Sequence, residues 1–316
     1  MNASAAGALL LGLAFGAAAL AADLPIRSAQ WLAPGRDPVK ALAFEPAECL
    51  IKPSTSEAAY SVEVGRAAFR NPLLLGGQGA RAGLACENCH RSGRDNPDFF
   101  FPGLSDAPGT ADVTSSVTSE HRGDGIFNPK PIPSLIRPVG TRIVSRDPRK
   151  PDLRNFIHGL VTQEFDGAEP PPAVMAGLTA YVRALSPAAC PAGPARQITV
   201  AARMSDTRRA MQAAGAALAR RDVATAKAML SAARSELGLI AERFADPALA
   251  GDLGAIAGAS RELGRLQNGL STKDVARVGA WPSRLDSLEA RLRRDEDRSL
   301  FNPRRLAALA QAGSAR

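Results

Sequence analysis

Aromatic residues, histidine and cysteine are all scarce in this chain of 316 residues. Phe, Trp and Tyr together make up 5% of it, and it contains three histidines and four cysteines. With so few aromatic side chains and no recognisable nucleic-acid motif, the chain offers no platform on which bases could stack, so we expect no nucleic-acid binding. Beyond the first 22 residues there is no long apolar run, which argues against a transmembrane span in the mature protein.

Residues 1–22 have the pattern of a cleavable signal peptide. The run from Ala5 to Ala22 is almost wholly apolar and ends in small residues ahead of Asp23, although no Lys or Arg precedes it. An uncleaved anchor helix is the alternative, but the run is short for a membrane span and rich in Ala and Gly. We therefore expect export and a soluble mature protein.

The stretch Cys86-Glu87-Asn88-Cys89-His90 has the Cys-x-x-Cys-His spacing by which c-type haem is attached to protein. Residues three apart lie on one face of a helix, so both thiols can reach the two vinyl groups of one porphyrin. His90 would supply the proximal nitrogen ligand to the iron. A zinc site would need a second Cys/His pair, and a thioredoxin-like redox pair would need a βαβ context; neither is evident. The motif therefore predicts one covalently bound haem c, held by Cys86, Cys89 and His90.

The two remaining cysteines, Cys49 and Cys190, lie on either side of this motif. Haem is attached to such motifs outside the bacterial inner membrane, so the signal peptide and the motif both predict a periplasmic location. In that oxidising compartment we expect Cys49 and Cys190 to form a disulfide, with two unpaired thiols as the alternative. Closing a loop of about 140 residues would stabilise the fold by about 4–5 kcal/mol on the chain-entropy model.

A family resemblance extends the haem prediction. Residues Gly65 to Leu74 contain a Gly-Arg step followed by Phe-x-x-Pro-x-Leu, and a glycine-rich turn then leads to the attachment motif. This order resembles the haem-site signature of bacterial di-haem cytochrome c peroxidases and their methylamine-utilisation-type relatives. The stretch Arg122 to Leu135 is similar to the segment that leads to the distal side of the haem in that family. The resemblance covers residues 60–190 at most, and it implies a c-type cytochrome domain.

The chain departs from this family in the number of haem motifs and in the sixth iron ligand. Family peroxidases hold two haems, whereas this chain has a single attachment motif. Where the family places a His or Met as second axial ligand, residues 141–147 contain neither. Three residues are candidates for that role: His158 on a helix that Asp152 would cap, Met175 in the last helix of the domain, and His121 in a polar loop. The alternatives are an ordinary surface histidine, an ordinary core methionine and a five-coordinate or water-ligated iron.

Alanine, leucine and arginine dominate the sequence after Pro194. Residues 199–316 contain 20 Lys and Arg against 13 Asp and Glu, so they carry +7 of the chain's net charge of +8. Apolar stripes with helical spacing indicate helices at 204–220, at 223–244, from 247 to about 270, and in a fourth segment that Pro282 interrupts. Short links between them favour antiparallel neighbours. The basic surface could dock a protein partner or contact anionic lipid heads, with a merely solvated face as the alternative.

These patterns predict an all-α fold, with a signal peptide at 1–22, a cytochrome c-like haem domain at 23–195 and a basic antiparallel helical bundle at 196–316. The predicted function is one-electron transfer between redox protein partners by a periplasmic mono-haem c-type cytochrome. The alternative is a peroxidase-like haem enzyme, or a haem-based sensor, that uses an open iron coordination site. The sequence assigns no catalytic residue and does not indicate an oligomeric state.

Overall fold

The computed structural model describes residues 24–120, 123–136 and 152–314, and most of these residues are helical. The predicted signal peptide, His121 and residues 141–147 lie outside them. The helices are α1 (Pro38–Ala43), α2 (Ser56–Phe69), α3 (Gly77–Ala82), α4 (Cys86–Cys89), α5 (Leu153–Gly159), α6 (Pro172–Ala184), α7 (Val200–Ala219), α8 (Val223–Ala241), α9 (Ala250–Asn268), α10 (Val275–Gly279), α11 (Trp281–Arg294) and α12 (Pro303–Ser314). The mostly helical character expected from the sequence is therefore confirmed.

The β-structure of the described residues consists of very short strands. Strand β1 (Phe44–Glu45) pairs antiparallel with β4 (Arg196–Gln197). Strand β2 (Thr110–Ala111) pairs antiparallel with β3 (Lys130–Pro131). The first pair joins the segment before the haem motif to the start of the carboxy-terminal helices. In the described part of the chain, no helix is both long enough and apolar enough to cross a lipid bilayer.

Helix starts follow the capping residues that the sequence predicts. The Thr55 side chain accepts a hydrogen bond from Ala58 N at 3.1 Å, and α2 begins at the next residue. Asp222 caps α8, and Asp152 caps α5, in the same way. Such side chains satisfy backbone N–H groups that have no partner inside the helix.

The fourth carboxy-terminal segment is interrupted next to Pro282, as the sequence predicts. Helix α10 ends at Gly279, and α11 begins at Trp281 with Pro282 as its second residue. Proline is tolerated there because the first N–H groups of a helix have no intrahelical acceptor. The chain then turns again, and α12 starts at Pro303, where the sequence pattern shows no separate helix.

The main apolar core is continuous across residue 195, where the sequence suggests a domain boundary. Helix α2 packs against α6, and also against α7 and α8 of the carboxy-terminal half. Buried side chains from both halves belong to one cluster, among them Phe69, Tyr181, Met204, Met211 and Leu230. Helix α12 instead joins α1 in a smaller cluster that contains Leu42 and Leu306.

Helices α2 and α6 touch through their backbones at two glycines. A β-carbon added to Gly65 would lie 1.9 Å from the carbonyl oxygen of Gly177, and one added to Gly177 would lie 2.7 Å from Gly65 N. Neither position can accept a side chain unless the helices separate. At these glycines α6 packs across α2, the long helix that precedes the Cys-x-x-Cys-His motif.

The Gly65→Ala variant should lower the free energy of unfolding by about 3 kcal/mol, the upper part of the usual range for overpacking, because the methyl group would meet rigid backbone. The matched control is Gly258→Ala in the middle of α9, where an added β-carbon has no neighbour within 4 Å. That change should stabilise the protein by up to about 1 kcal/mol through helix propensity alone. Urea unfolding followed by circular dichroism measures both effects, and similar values for the two variants would contradict the packing described.

Candidate functional site

The Cys-x-x-Cys-His motif begins on a single helical turn, α4. Gly83, with φ of +75°, ends α3 in the left-handed conformation and redirects the chain. The Asn88 side chain then accepts a hydrogen bond from Ala85 N at 2.7 Å, which fixes the start of α4. Both cysteines of the turn are free, and Cys89 is the third residue after Cys86. Residues at this spacing lie on one face of a helix, so the two thiols can reach one ligand together.

His90 follows α4 directly and has its ring oriented by a backbone carbonyl. Its Nδ1 lies 3.0 Å from the carbonyl oxygen of Pro133. A carbonyl can only accept, so Nδ1 donates its proton and the lone pair of the neutral ring lies on Nε2. Burial lowers the pKa of His90 to about 4, although the bond to Pro133 opposes that shift, so the ring is neutral at pH 7. Pro133 is the one residue in the described part of the chain that forms a hydrogen bond with this ring.

The two thiols lie in apolar surroundings. Cys86 packs against the main core, whereas Cys89 packs against a second cluster that includes Trp31, Leu84 and Phe99. Burial raises the pKa of both thiols to about 12, which keeps them protonated at neutral pH. This arrangement offers two neutral thiols and one available imidazole nitrogen at the border of two apolar clusters. Such groups could form two thioether bonds and provide one nitrogen ligand to a metal.

The candidates for a sixth iron ligand have different environments. His158 Nε2 lies 2.6 Å from Glu169 Oε2, and these side chains are 41% and 71% exposed. A ligating His158 would have to give up this contact or coordinate through Nδ1. Met175 is 2% exposed in the main core, the cluster against which Cys86 also packs. His121 lies outside the described residues. In the described part of the chain, no three His, Cys, Asp or Glu side chains form a group that could hold a metal ion by themselves.

The disulfide prediction agrees with the structure. The sulfur atoms of Cys49 and Cys190 are bonded, and 141 residues separate them in the sequence. The Arg94 guanidinium donates a hydrogen bond to Cys49 Sγ at 2.8 Å. Arg91 donates to the carbonyl oxygen of Phe44. These two arginines, which by sequence could pair with haem propionates or lie in solvent, therefore both have protein partners.

A buried ion network connects the motif to the rest of the fold. Glu48 is its centre: its carboxylate accepts from Arg66 Nε at 2.8 Å, from Arg70 Nη2 at 2.8 Å and from the Tyr181 hydroxyl at 2.5 Å. Arg70 Nη2 also lies 3.5 Å from the carboxylate of Glu87. Glu87 is one of the two residues between the cysteines of the motif, and it lies on the other face of α4. The network thus holds the back of α4 against α2 and α6.

The same network extends into the carboxy-terminal helices. Arg66 Nη1 donates to Asp206 Oδ1 at 2.6 Å, so an arginine of α2 bridges Glu48 and α7. Sequence reasoning missed this network because its hydrogen bonds join residues up to 140 positions apart. One local signal existed: Arg66, a charged residue that is 4% exposed, lies among the buried apolar positions of α2. A buried arginine requires anionic partners from elsewhere in the fold.

Many arginines of the carboxy-terminal half pair with acidic groups of the same chain. Contacts of 2.5 to 3.0 Å join Arg209 to Glu63 and Arg220 to Glu57 on α2, and join Arg284 to Glu262 and Arg291 to Asp252 within the carboxy-terminal helices. Some of the arginines that the sequence assigns to a docking surface therefore form ion pairs that connect helices to one another.

Comparison with known proteins adds no relative from which a function could be inferred. No protein family matches the chain, and neither a curated protein nor a solved structure matches it.

Proposed function

We propose that the chain is a mono-haem c-type cytochrome that transfers single electrons between protein partners. The observation that carries this proposal is the state of the His90 ring, whose Nδ1–H is bonded to the Pro133 carbonyl while Nε2 has its lone pair available. A metal-binding histidine is typically oriented by this kind of bond, which fixes the tautomer and raises the basicity of the ligating nitrogen. We infer that Cys86 and Cys89 bind the porphyrin and that His90 Nε2 is the proximal ligand.

The side chains around the motif fit such a group. Both thiols are free, protonated and three residues apart, as two thioether bonds to one porphyrin would require. When bound, haem supplies an iron that is reversibly oxidised and reduced by one electron. The apolar clusters on either side of the cysteines would exclude water, and the Pro133 carbonyl would hold the imidazole in one orientation. We also propose that residues 23–195 form a cytochrome c-like unit that shares its apolar core with an antiparallel helical bundle at 196–316.

Export to the periplasm is part of this proposal. A disulfide between Cys49 and Cys190 is compatible with an oxidising compartment. A redox protein partner would dock through a weak, salt-sensitive interface. Arginine and lysine side chains of the basic helices that do not pair with acidic groups of the same chain would contribute to it. Contact of that surface with anionic lipid heads is the alternative.

The Cys86→Ser, Cys89→Ser double variant should lose all covalently bound haem when it is exported in a host that matures c-type cytochromes. The reason is that both thioether bonds would be absent. Haem staining after denaturing electrophoresis and the pyridine haemochrome spectrum measure this loss. The matched control is the Cys49→Ser, Cys190→Ser variant, which removes two cysteines distant from the motif and should retain its stain. A wild-type protein without pigment, or a double variant that keeps its pigment, would contradict the proposal.

An open iron site is the second candidate function, as in a peroxidase-like enzyme or a haem-based sensor. The engagement of His158 Nε2 by Glu169 favours it, because that imidazole is already paired. Optical spectra of the holoprotein separate the two functions. Low-spin iron in both oxidation states that does not bind carbon monoxide supports electron transfer. High-spin ferric iron together with rapid turnover of hydrogen peroxide would instead support the peroxidase-like enzyme and contradict electron transfer.

A further inference from the structure

A cavity of about 130 Å³ lies beside α4. From α4 and its flanks, Glu87, Asn88 and Arg91 line it, whereas Cys86, Cys89 and His90 do not. Arg203 of α7, Glu236 of α8 and Arg243, which follows α8, close it from the carboxy-terminal half. Trp31 and Phe99, from the apolar cluster against which Cys89 packs, also line it, so the cavity adjoins the proposed haem site without including the residues that would hold haem.

Two arginines of this cavity have no carboxylate partner among the described residues. Arg243 is 5% exposed, and it donates to the carbonyl oxygens of Leu42 at 2.6 Å and Leu300 at 3.0 Å. Arg91 donates to another backbone carbonyl. Burial lowers the pKa of Arg243 to about 9, and repulsion from nearby Arg203 and Arg91 adds to that shift although Glu242 and Glu45 oppose it. Five arginines and four acidic residues line the cavity, and Arg91 and Arg243 are the two of these arginines that lack a carboxylate partner in the described part of the chain. An anion in the cavity would compensate their charge.

A carboxyl oxygen in the cavity also lacks a hydrogen-bond partner. Glu236 is 4% exposed, and its Oε2 accepts no hydrogen bond in the described structure. The closest cation is Arg203, whose Nη1 lies 3.6 Å away, too far for a hydrogen bond. Burial raises the pKa of Glu236 to about 7, although Arg203 opposes that shift, so the carboxylate is ionised above neutral pH. Its Oε2 would then be satisfied by a ligand that can donate a proton.

We propose that this cavity binds inorganic phosphate. Its volume of about 130 Å³ leaves room for an anion of five heavy atoms. Guanidinium groups bind such oxygens through strong, charge-assisted hydrogen bonds, which Arg91, Arg203 and Arg243 can provide. Phosphate keeps one proton at pH 8 and can donate it to Glu236 Oε2. Sulfate has the same shape but no proton, so the ionised carboxylate disfavours it.

Isothermal titration of the holoprotein with phosphate, sulfate and chloride at pH 8, where the Glu236 carboxylate is ionised, and at constant ionic strength tests the proposal. We expect saturable phosphate binding, weaker sulfate binding and no saturable chloride binding. Arg91→Gln and Arg243→Gln should each weaken phosphate binding about tenfold or more, because each removes a charge-assisted hydrogen bond. The matched control is Arg293→Gln, a side chain that is 62% exposed on α11, which should leave affinity unchanged.

The Glu236→Gln variant keeps the experiment decisive if Arg243→Gln does not fold, since Arg243 also holds two backbone carbonyls. Glutamine preserves the shape and provides an N–H donor, so sulfate affinity should rise and the preference for phosphate should decrease about tenfold. Three results would overturn the proposal: no saturable phosphate binding to the wild type, equal binding of phosphate and chloride, or unchanged affinity in folded Arg91→Gln and Glu236→Gln proteins.

Discussion

Replacing Cys49 and Cys190 together with alanine should lower the free energy of unfolding by about 5 kcal/mol. The disulfide closes a loop of 141 residues, and on the chain-entropy model a loop of that length gives a stabilisation of this size. The measurement is equilibrium urea unfolding of the variant and the wild type. Because a small domain typically has a total stability of about 5–15 kcal/mol, the variant would be only marginally folded at 37 °C.

The control for the disulfide is the wild-type protein unfolded in the presence of a reducing agent. Reduced wild type should match the variant, since both lack the same covalent link. A loss below about 1 kcal/mol in both samples would mean that the unfolded chain is already compact around this loop.

The Glu48→Gln variant should lower the free energy of unfolding by about 3–5 kcal/mol, because it leaves two buried guanidinium groups without their shared anion. Arg66 and Arg70 both donate to this carboxylate and are 4% and 9% exposed at their side chains. Glutamine has nearly the same shape, so the loss reflects charge more than packing. The matched control is Glu57→Gln on the same stretch of chain, an exposed partner of Arg220 that is 71% accessible, which should change stability by less than about 1 kcal/mol.

The same carboxylate predicts a loss of stability in acid. Burial raises the pKa of Glu48, but Arg70, Arg66 and the Tyr181 hydroxyl outweigh it and hold the pKa far below the ordinary 4.5. During acidification the folded state therefore binds the proton at a lower pH than the unfolded state does. The stabilisation by Glu48 is complete well above pH 4.5 and decreases as the pH falls below that value. Urea unfolding at a series of acidic pH values should show a steeper decline for the wild type than for Glu48→Gln. Parallel curves would exclude Glu48 as a source of the decline.

Local features of the fold could be predicted from the sequence because they depend on neighbouring residues. Capping side chains are adjacent to the backbone groups they satisfy, so Asp152 and Asp222 identified the starts of α5 and α8. The pairing of Cys49 with Cys190 could be predicted because the chain has four cysteines and the motif contains the other two. The Cys-x-x-Cys-His spacing likewise located α4 without any knowledge of the tertiary structure.

Features that depend on distant segments could not be predicted in this way. Nothing near His90 in the sequence indicates that the Pro133 carbonyl, 43 residues away, would orient its ring. The contact of Gly65 with Gly177 requires two particular helices to cross at those positions. The network of Glu48, Arg66 and Asp206 likewise forms only when three separate segments pack together. The sequence did not indicate α12 as a helix separate from α11, and α12 packs against α1, a helix from the opposite end of the described chain.

The shared interior of the two halves restricts how this chain can be divided or recombined. Helix α2 contacts α7 and α8 as well as α6, and Asn71 Nδ2 donates to Ser231 Oγ at 3.3 Å across the same boundary. A fragment ending near residue 195 would expose the apolar face of α2 to water and leave Arg66 without Asp206. Transplanting the cysteine-bearing half into another protein would therefore yield an aggregating product unless residues 200–314 were supplied in trans. Two co-expressed fragments that reassemble would be the practical route to labelling one half selectively.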